Sequence, residues 1–392
     1  MKKKIIGCFL IIFTCICLNL GVSNYIVFAN EISEIQDEIN SELNEINFVE
    51  LENILHDISD NSKTIFGESS FFDKVQQFIN GNYYNDLPQI LKSIFELFFN
   101  NILNILPIIL LILGIVILFS LVTNFGSNIQ LHSNFIINFV CYGIIIIIIS
   151  SLVSNCVTSV TDCMAGIKTQ MEIIFPILLT LITAVGGSVT ASAFQTPIII
   201  LINGTTELFS FILLPLFLIS FVFVLANNLG NNEHFSKFIS IFQSVFKWIL
   251  GLILTLFVAF MVLSGITSGT FDGISVKIAK YTLKGIVPYI GGYVSDGVDI
   301  MIASSVLIKN AIGFSGIFLL LVSVLQPLIQ LLVVSLSLKL TGAIVDSIGN
   351  KKISNFVFSI GKILNMLIAC LIFISVMYLM SVGILMSVCN LF

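Results

Sequence analysis

The sequence predicts an all-α polytopic membrane protein, with about eight transmembrane helices behind a signal peptide. Three observations carry this. Only 10% of the 392 residues are charged and 57% are hydrophobic, with a mean hydropathy of +1.07, whereas a soluble domain carries roughly 25% charged residues. The apolar residues gather in runs of about 20, the length an α-helix needs to cross a hydrocarbon core. The chain also opens with the three-part pattern of an export signal.

That opening segment, 1–29, consists of Lys2, Lys3 and Lys4, an apolar stretch from Ile5 to about Leu20, and Val27-Phe28-Ala29. Light residues before Asn30 favour cleavage after Ala29, with an uncleaved signal anchor as the alternative. Either way, residues 30–100 are expected on the extracytoplasmic side. This segment holds 14 of the 22 acidic residues, from Glu31 to Glu96. Ile32, Ile35, Ile39, Leu43 and Ile46 recur at helical steps, and Phe71, Phe72, Val75, Phe78 and Ile79 form a shorter amphipathic stretch. These helices could form a cap on the membrane domain or dock a partner.

The polytopic domain, 101–392, has expected spans near 102–123, 135–154, 173–195, 206–226, 248–268, 286–308, 313–338 and 363–387. All 17 basic residues are lysines. Seven of them (Lys277, Lys280, Lys284, Lys339, Lys351, Lys352 and Lys362) fall in two loops that this count places in the cytoplasm, as the positive-inside rule requires. A shift of 112 residues aligns Pro176 with Pro288, Gly204 with Gly316, Pro215 with Pro327 and Gly230 with Gly342. The match suggests a 3+3 inverted repeat over 165–272 and 277–387, a plan found in secondary transporters. On that plan Pro176, Pro215, Pro288 and Pro327 are expected helix breaks.

Charged groups within spans are expensive and so are candidates for function. Glu207 follows Asn203-Gly204-Thr205-Thr206, while Asp296 and Asp299 lie three apart after Gly291-Gly292. Each could instead belong to a short polar loop. Glu172 and Lys309 suit interfacial positions. Ser192 and Gln195 belong to a small, polar run that could pack helices closely or line a cavity. Together these seven are the candidate path-lining or subunit-contact residues.

No catalytic residues, cofactor site or metal site are expected, because the chain has no GxSxG, HExxH, Walker lysine or CxxC motif. Cys156 and Cys163 stand about 10.5 Å apart along a helix, too far for a disulfide. The absence of arginine and of basic clusters argues against nucleic-acid binding. The partner the composition does require is the lipid bilayer.

Three stretches resemble a known family: Gln170-Met171-Glu172-Ile173-Ile174-Phe175-Pro176, Thr190-Ala191-Ser192-Ala193-Phe194-Gln195-Thr196-Pro197, and Val287-Pro288-Tyr289-Ile290-Gly291-Gly292-Tyr293-Val294-Ser295-Asp296-Gly297-Val298-Asp299 followed by Ser304-Ser305-Val306-Leu307-Ile308-Lys309-Asn310-Ala311. They are similar to the stage III sporulation protein AE family, as is the layout of signal peptide, polar segment and polytopic domain. The resemblance implies a multi-pass protein of the mother-cell membrane around the forespore. It further implies membership of a channel or transport complex needed for late forespore development, with a cytoplasmic ATPase and ring-forming subunits among its partners. No catalytic role carries over. The other readings are a membrane scaffold without a translocation path and a free-standing secondary transporter.

Overall fold

Eight helices emerge among the described residues, and no strand does. The computed structural model describes Glu52 and residues 70–79, 87–125, 131–229, 235–286 and 291–388, with the backbone alone over 87–91, 122–125, 131–139, 229, 266–286, 291–296 and 298–299. The expected signal peptide, the first acidic helix and Pro288 lie outside these residues. The helices are α1 (Phe71–Ile79), α2 (Leu87–Phe125), α3 (Leu131–Ala184), α4 (Ser188–Leu208), α5 (Leu214–Leu229), α6 (Ser236–Ile286), α7 (Gly291–Ser347) and α8 (Lys351–Ser387). A single π-turn, Phe209–Leu213, joins α4 to α5. Counting α4 and α5 as one rod, six helices among the described residues are long and apolar enough to cross a membrane.

The helix ends follow from local chemistry. Gly186 has φ +94, the left-handed conformation that glycine adopts without strain. There the Gly187 N–H donates to Ile182 O at 2.8 Å and the Gly186 N–H to Thr183 O at 2.9 Å, closing α3 in a Schellman motif. Gly349, with φ +97, ends α7, its N–H donating to Asp346 O at 3.0 Å. The Asn350 side chain then accepts from the Ile353 N–H at 3.2 Å to start α8.

Several expected boundaries differ from those observed: residues 269–285, expected as a cytoplasmic loop, are helical within α6, and residues 196–205, expected between two spans, are helical within α4. Residues 155–172, expected to connect two spans, are continuous helix within the 54-residue α3. Residues 309–312 likewise lie inside the 57-residue α7. The expected span 173–195 is instead divided at the Gly186-Gly187 turn. Serine and threonine spaced three and four apart lower hydropathy without breaking a helix, because their hydroxyls bond back to the backbone, as in Thr161 to Val157 O at 2.9 Å. The boundary at residue 100 falls within α2, and a shift of 112 carries the Gly186-Gly187 turn to 298–299, inside α7.

Prolines do not set the breaks either. Pro176 lies inside α3 and Pro327 inside α7. A proline deprives the carbonyl four residues earlier of its helical partner. For Pro327 that carbonyl is Ser323 O, and it accepts a bond from Cys163 Sγ at 3.7 Å. Pro215, second residue of α5, directly follows the π-turn.

The centre of the bundle is the α7–α8 hairpin. In α8, 67% of the most apolar window is buried, against 22% in α2 and 22% in α6. The outer helices accordingly present large apolar side chains outward, among them Phe99, Leu103 and Leu118 on α2 and Trp248, Leu256 and Leu263 on α6.

Candidate functional site

Two polar seams cross the apolar interior. Between α7 and α8, Ser335 Oγ donates to Gly361 O at 2.7 Å, and Ser354 Oγ donates to Gly342 O at 2.8 Å. Lys339 Nζ adds a bond to Ser335 Oγ at 2.6 Å and reaches Asn365 Oδ1 at 3.5 Å. Glycine is needed here because a Cβ on Gly361 would stand 2.9 Å from Ser335 O, and one on Gly342 would stand 3.2 Å from Ser354 O. Small residues let membrane helices approach closely enough for such bonds.

The second seam joins α3 to α7. Gln170 Nε2 donates to Ser323 Oγ at 2.7 Å, and Ser159 Oγ donates to Gln330 Oε1 at 2.9 Å. Gln170 is 1% exposed, and its Oε1 has no hydrogen-bond partner. Nearby, Gly316 admits Ile174 and Tyr378, and the Phe175 and Tyr378 rings meet at 5.6 Å.

Helix α1 sits on α7. Phe71 and Val75 are fully buried, Phe78 stacks on Phe314 at 5.8 Å, and Lys74 Nζ lies 5.8 Å from the centre of the Phe318 ring. The α7–α8 turn at Ile348–Asn350 lies about 45 Å further along α7, at 1.5 Å per residue. Lys351 and Lys352 open α8 at that turn, and Lys362, about 17 Å further along α8, has its Nζ 4.7 Å from the Phe358 ring.

The outward face of α3 differs from those of α2 and α6. On α3 the exposed positions include Ser151, Asn155, Thr158, Asp162, Thr169, Glu172 and Thr180. Between Ile147 and Val189 no large apolar side chain is exposed. On α4 and its π-turn the exposed surface is mixed: Ser188, Ser192, Gln195, Thr196, Asn203, Glu207 and Ser210 are exposed together with Val189, Ile199, Ile200, Phe211 and Ile212, while Phe194, Ile198, Leu201 and Ile202 are buried. The spacing of each set keeps it on one helical face.

The candidates from the sequence therefore separate. Ser192, Gln195 and Glu207 share the outward face of α4. Glu172 lies on that of α3, 3.6 Å from Lys168 in an i,i+4 pair. Lys309 is fully buried and donates to Val388 O at the end of α8, so it closes a helix C-terminus instead of lying at an interface. Asp296 and Asp299 occupy the first turns of α7, and their side chains lie outside the described atoms. Asp162, Thr158, Thr169 and the Gln170–Ser323 bond were not anticipated. The i, i+3, i+4 spacing of polar residues over 151–172 is the feature that reveals the first three. Among the described residues, no three His, Cys, Asp or Glu side chains are placed to hold a metal ion.

A lipid-facing shell, a small-residue core seam and a one-sided polar face define a polytopic, all-helical membrane protein. The sequence profile of the stage III sporulation protein AE family matches residues 69–389, and the chain belongs to that family. Stage III sporulation protein AE of Bacillus subtilis (strain 168) is 23% identical over 324 residues, covering 81% of this chain and 80% of that protein. No solved structure matches. The family is one of sporulation proteins, and its name denotes no enzyme.

Proposed function

We propose that this chain is a membrane subunit of a sporulation-specific channel or transport complex linking mother cell and forespore, required for late forespore development. The observation that carries this reading, beyond family membership, is the polar outward surface of α3 on a bundle whose other outer helices expose large apolar residues. A subunit working alone in lipid gains nothing from such a surface, because a charged side chain at the centre of a bilayer costs roughly 2.5–3.5 kcal/mol on insertion scales. Lysines at the α7–α8 turn, with α1 seated near the middle of α7 about 45 Å from it, support a cytoplasmic turn and an extracytoplasmic N-terminal segment. A cytoplasmic ATPase would then meet the turn end, and ring-forming subunits the α1 end.

The test is complementation of a deletion in a spore-forming host, with a forespore-specific reporter and co-purification of the complex. A chain carrying Glu207→Gln, Asp296→Asn and Asp299→Asn should assemble yet support little late forespore expression. Full expression by that assembled chain would overturn the path reading. It would favour the scaffold instead, the role to which the rigid serine–glycine seam of α7 and α8 is suited.

A further inference from the structure

We infer that the outward face of α3 is the seat of a transmembrane helix from another protein, one that places a lysine or arginine opposite Asp162. The inference rests on the proposed membership of a membrane complex and adds where a partner binds and what chemistry it brings.

The face lies at lipid depth. Ser159 of α3 bonds to Gln330 of α7, and a Cβ on Gly316 of α7 would meet Ile174 of α3, so the two helices run antiparallel in a fixed register. That register sets the exposed Leu332, Leu336 and Leu340 level with Thr158, Asn155 and Ser151. On the other flank, equal counts from the Gly186-Gly187 turn set Ile219, Phe211 and Ile200 of the α4–α5 rod level with Ser154, Asp162 and Glu172. All three apolar residues are exposed, Phe211 at 79%. Large apolar side chains on both flanks suit hydrocarbon and not water. From Ser151 to Glu172 the face runs about 32 Å, close to the roughly 30 Å of a hydrocarbon core. Asp162 stands midway.

A protein helix meets the needs of this face where lipid and water do not. Asp162 is exposed, and no cation among the described residues pairs with it; Lys168, the nearest lysine in sequence, lies 3.6 Å from Glu172. A charge turned to hydrocarbon costs roughly 2.5–3.5 kcal/mol on insertion scales. The threonines ask little of water, because they donate to their own backbone: Thr161 to Val157 O at 2.9 Å and Thr169 to Ala165 O at 3.1 Å. What is left is a strip of small side chains at three- and four-residue steps, narrow enough for one helix and shallow enough for close approach. The charge still to be met is that of Asp162. A second copy seated face to face would bring another aspartate to the same depth, where like charges repel strongly. The occupant is therefore a different polypeptide, basic at that level.

The full chain, complementing its own deletion in a spore-forming host, would carry a photo-crosslinking amino acid at Thr158, Thr169 or Leu263. Leu263, 64% exposed on α6, is the lipid-facing control. We expect Thr158 and Thr169 to capture one membrane protein, identified by mass spectrometry, through a transmembrane segment that holds a lysine or arginine; Leu263 should capture none. Asp162→Lys should lower co-purification of that protein about tenfold, and changing its basic residue to aspartate should restore it. Asp162→Asn, of the same size, should cause a smaller loss at an unchanged membrane level. Capture of lipid alone, of a second copy of this chain, or of a segment without a basic residue would overturn the inference. So would full co-purification by both Asp162 variants. A wild-type chain that co-purifies with no other sporulation protein would instead sink the complex membership itself.

Discussion

Ser335 and Gly361 are joined by a 2.7 Å hydrogen bond from hydroxyl to carbonyl, and seven residues away on each helix Gly342 and Ser354 repeat the bond in reverse. Each serine faces the glycine that admits it, so the antiparallel helices lock in one register. Gly361→Ala places a methyl group 2.9 Å from Ser335 O. It should destabilise the bundle by about 1–3 kcal/mol, seen as a lower melting temperature of the detergent-solubilised chain. Gly383→Ala, with nothing within 4 Å of the added methyl, should be neutral or stabilising by up to about 1 kcal/mol. Equal effects from the two would refute the register lock.

The Gln170–Ser323 bond predicts a sign reversal. Ser323→Ala alone should cost about 1–3 kcal/mol because it leaves a buried amide unpaired. Adding Gln170→Leu removes that amide together with its unpartnered Oε1, and should restore most of the loss. A double-mutant cycle on chemical denaturation reads the coupling; additive losses would contradict the seam.

Much of the bundle was legible in the sequence. The run over 363–387 lies wholly within α8, and Phe71–Ile79 forms the helix that its apolar spacing suggests. What was not legible has physical causes. Hydropathy registers a preference for lipid, so the polar residues of 155–172 resemble a loop although they continue α3. Proline marks a missing donor, but whether the helix breaks depends on what else can satisfy the freed carbonyl. For Ser323 O that is Cys163, 160 residues away in sequence. The site was legible only in part for the same reason. Ser192, Gln195 and Glu207 could be singled out by type, but the direction they face is set by packing against Phe194 and Ile198.

Docking of α1 depends on Phe71, which is fully buried. Phe71→Ala should release α1 from α7, with a local loss of about 3–5 kcal/mol, while α7 and α8 stay folded. Hydrogen exchange should rise over 71–79 and remain slow over 353–382. Fast exchange in both regions would show that α1 is integral to the core and not seated upon it.

Lys309 secures the last turn of α8. Lys309→Ala removes the donor to Val388 O and should loosen residues 384–388 by about 1–3 kcal/mol. The expected reading is roughly tenfold faster exchange of those amides for each 1.4 kcal/mol. Unchanged exchange there would assign the lysine no capping role.

The 57 residues of α7 make a rod about 85 Å long. A bilayer with its headgroups is about 40–45 Å thick. Fitting the whole rod inside would require a tilt near 58°, steeper than the 0–40° range of membrane helices. Some part of α7 must therefore project beyond the headgroups. The protein thus carries one continuous helix from within the membrane into the adjoining aqueous space, a post standing clear of the lipid.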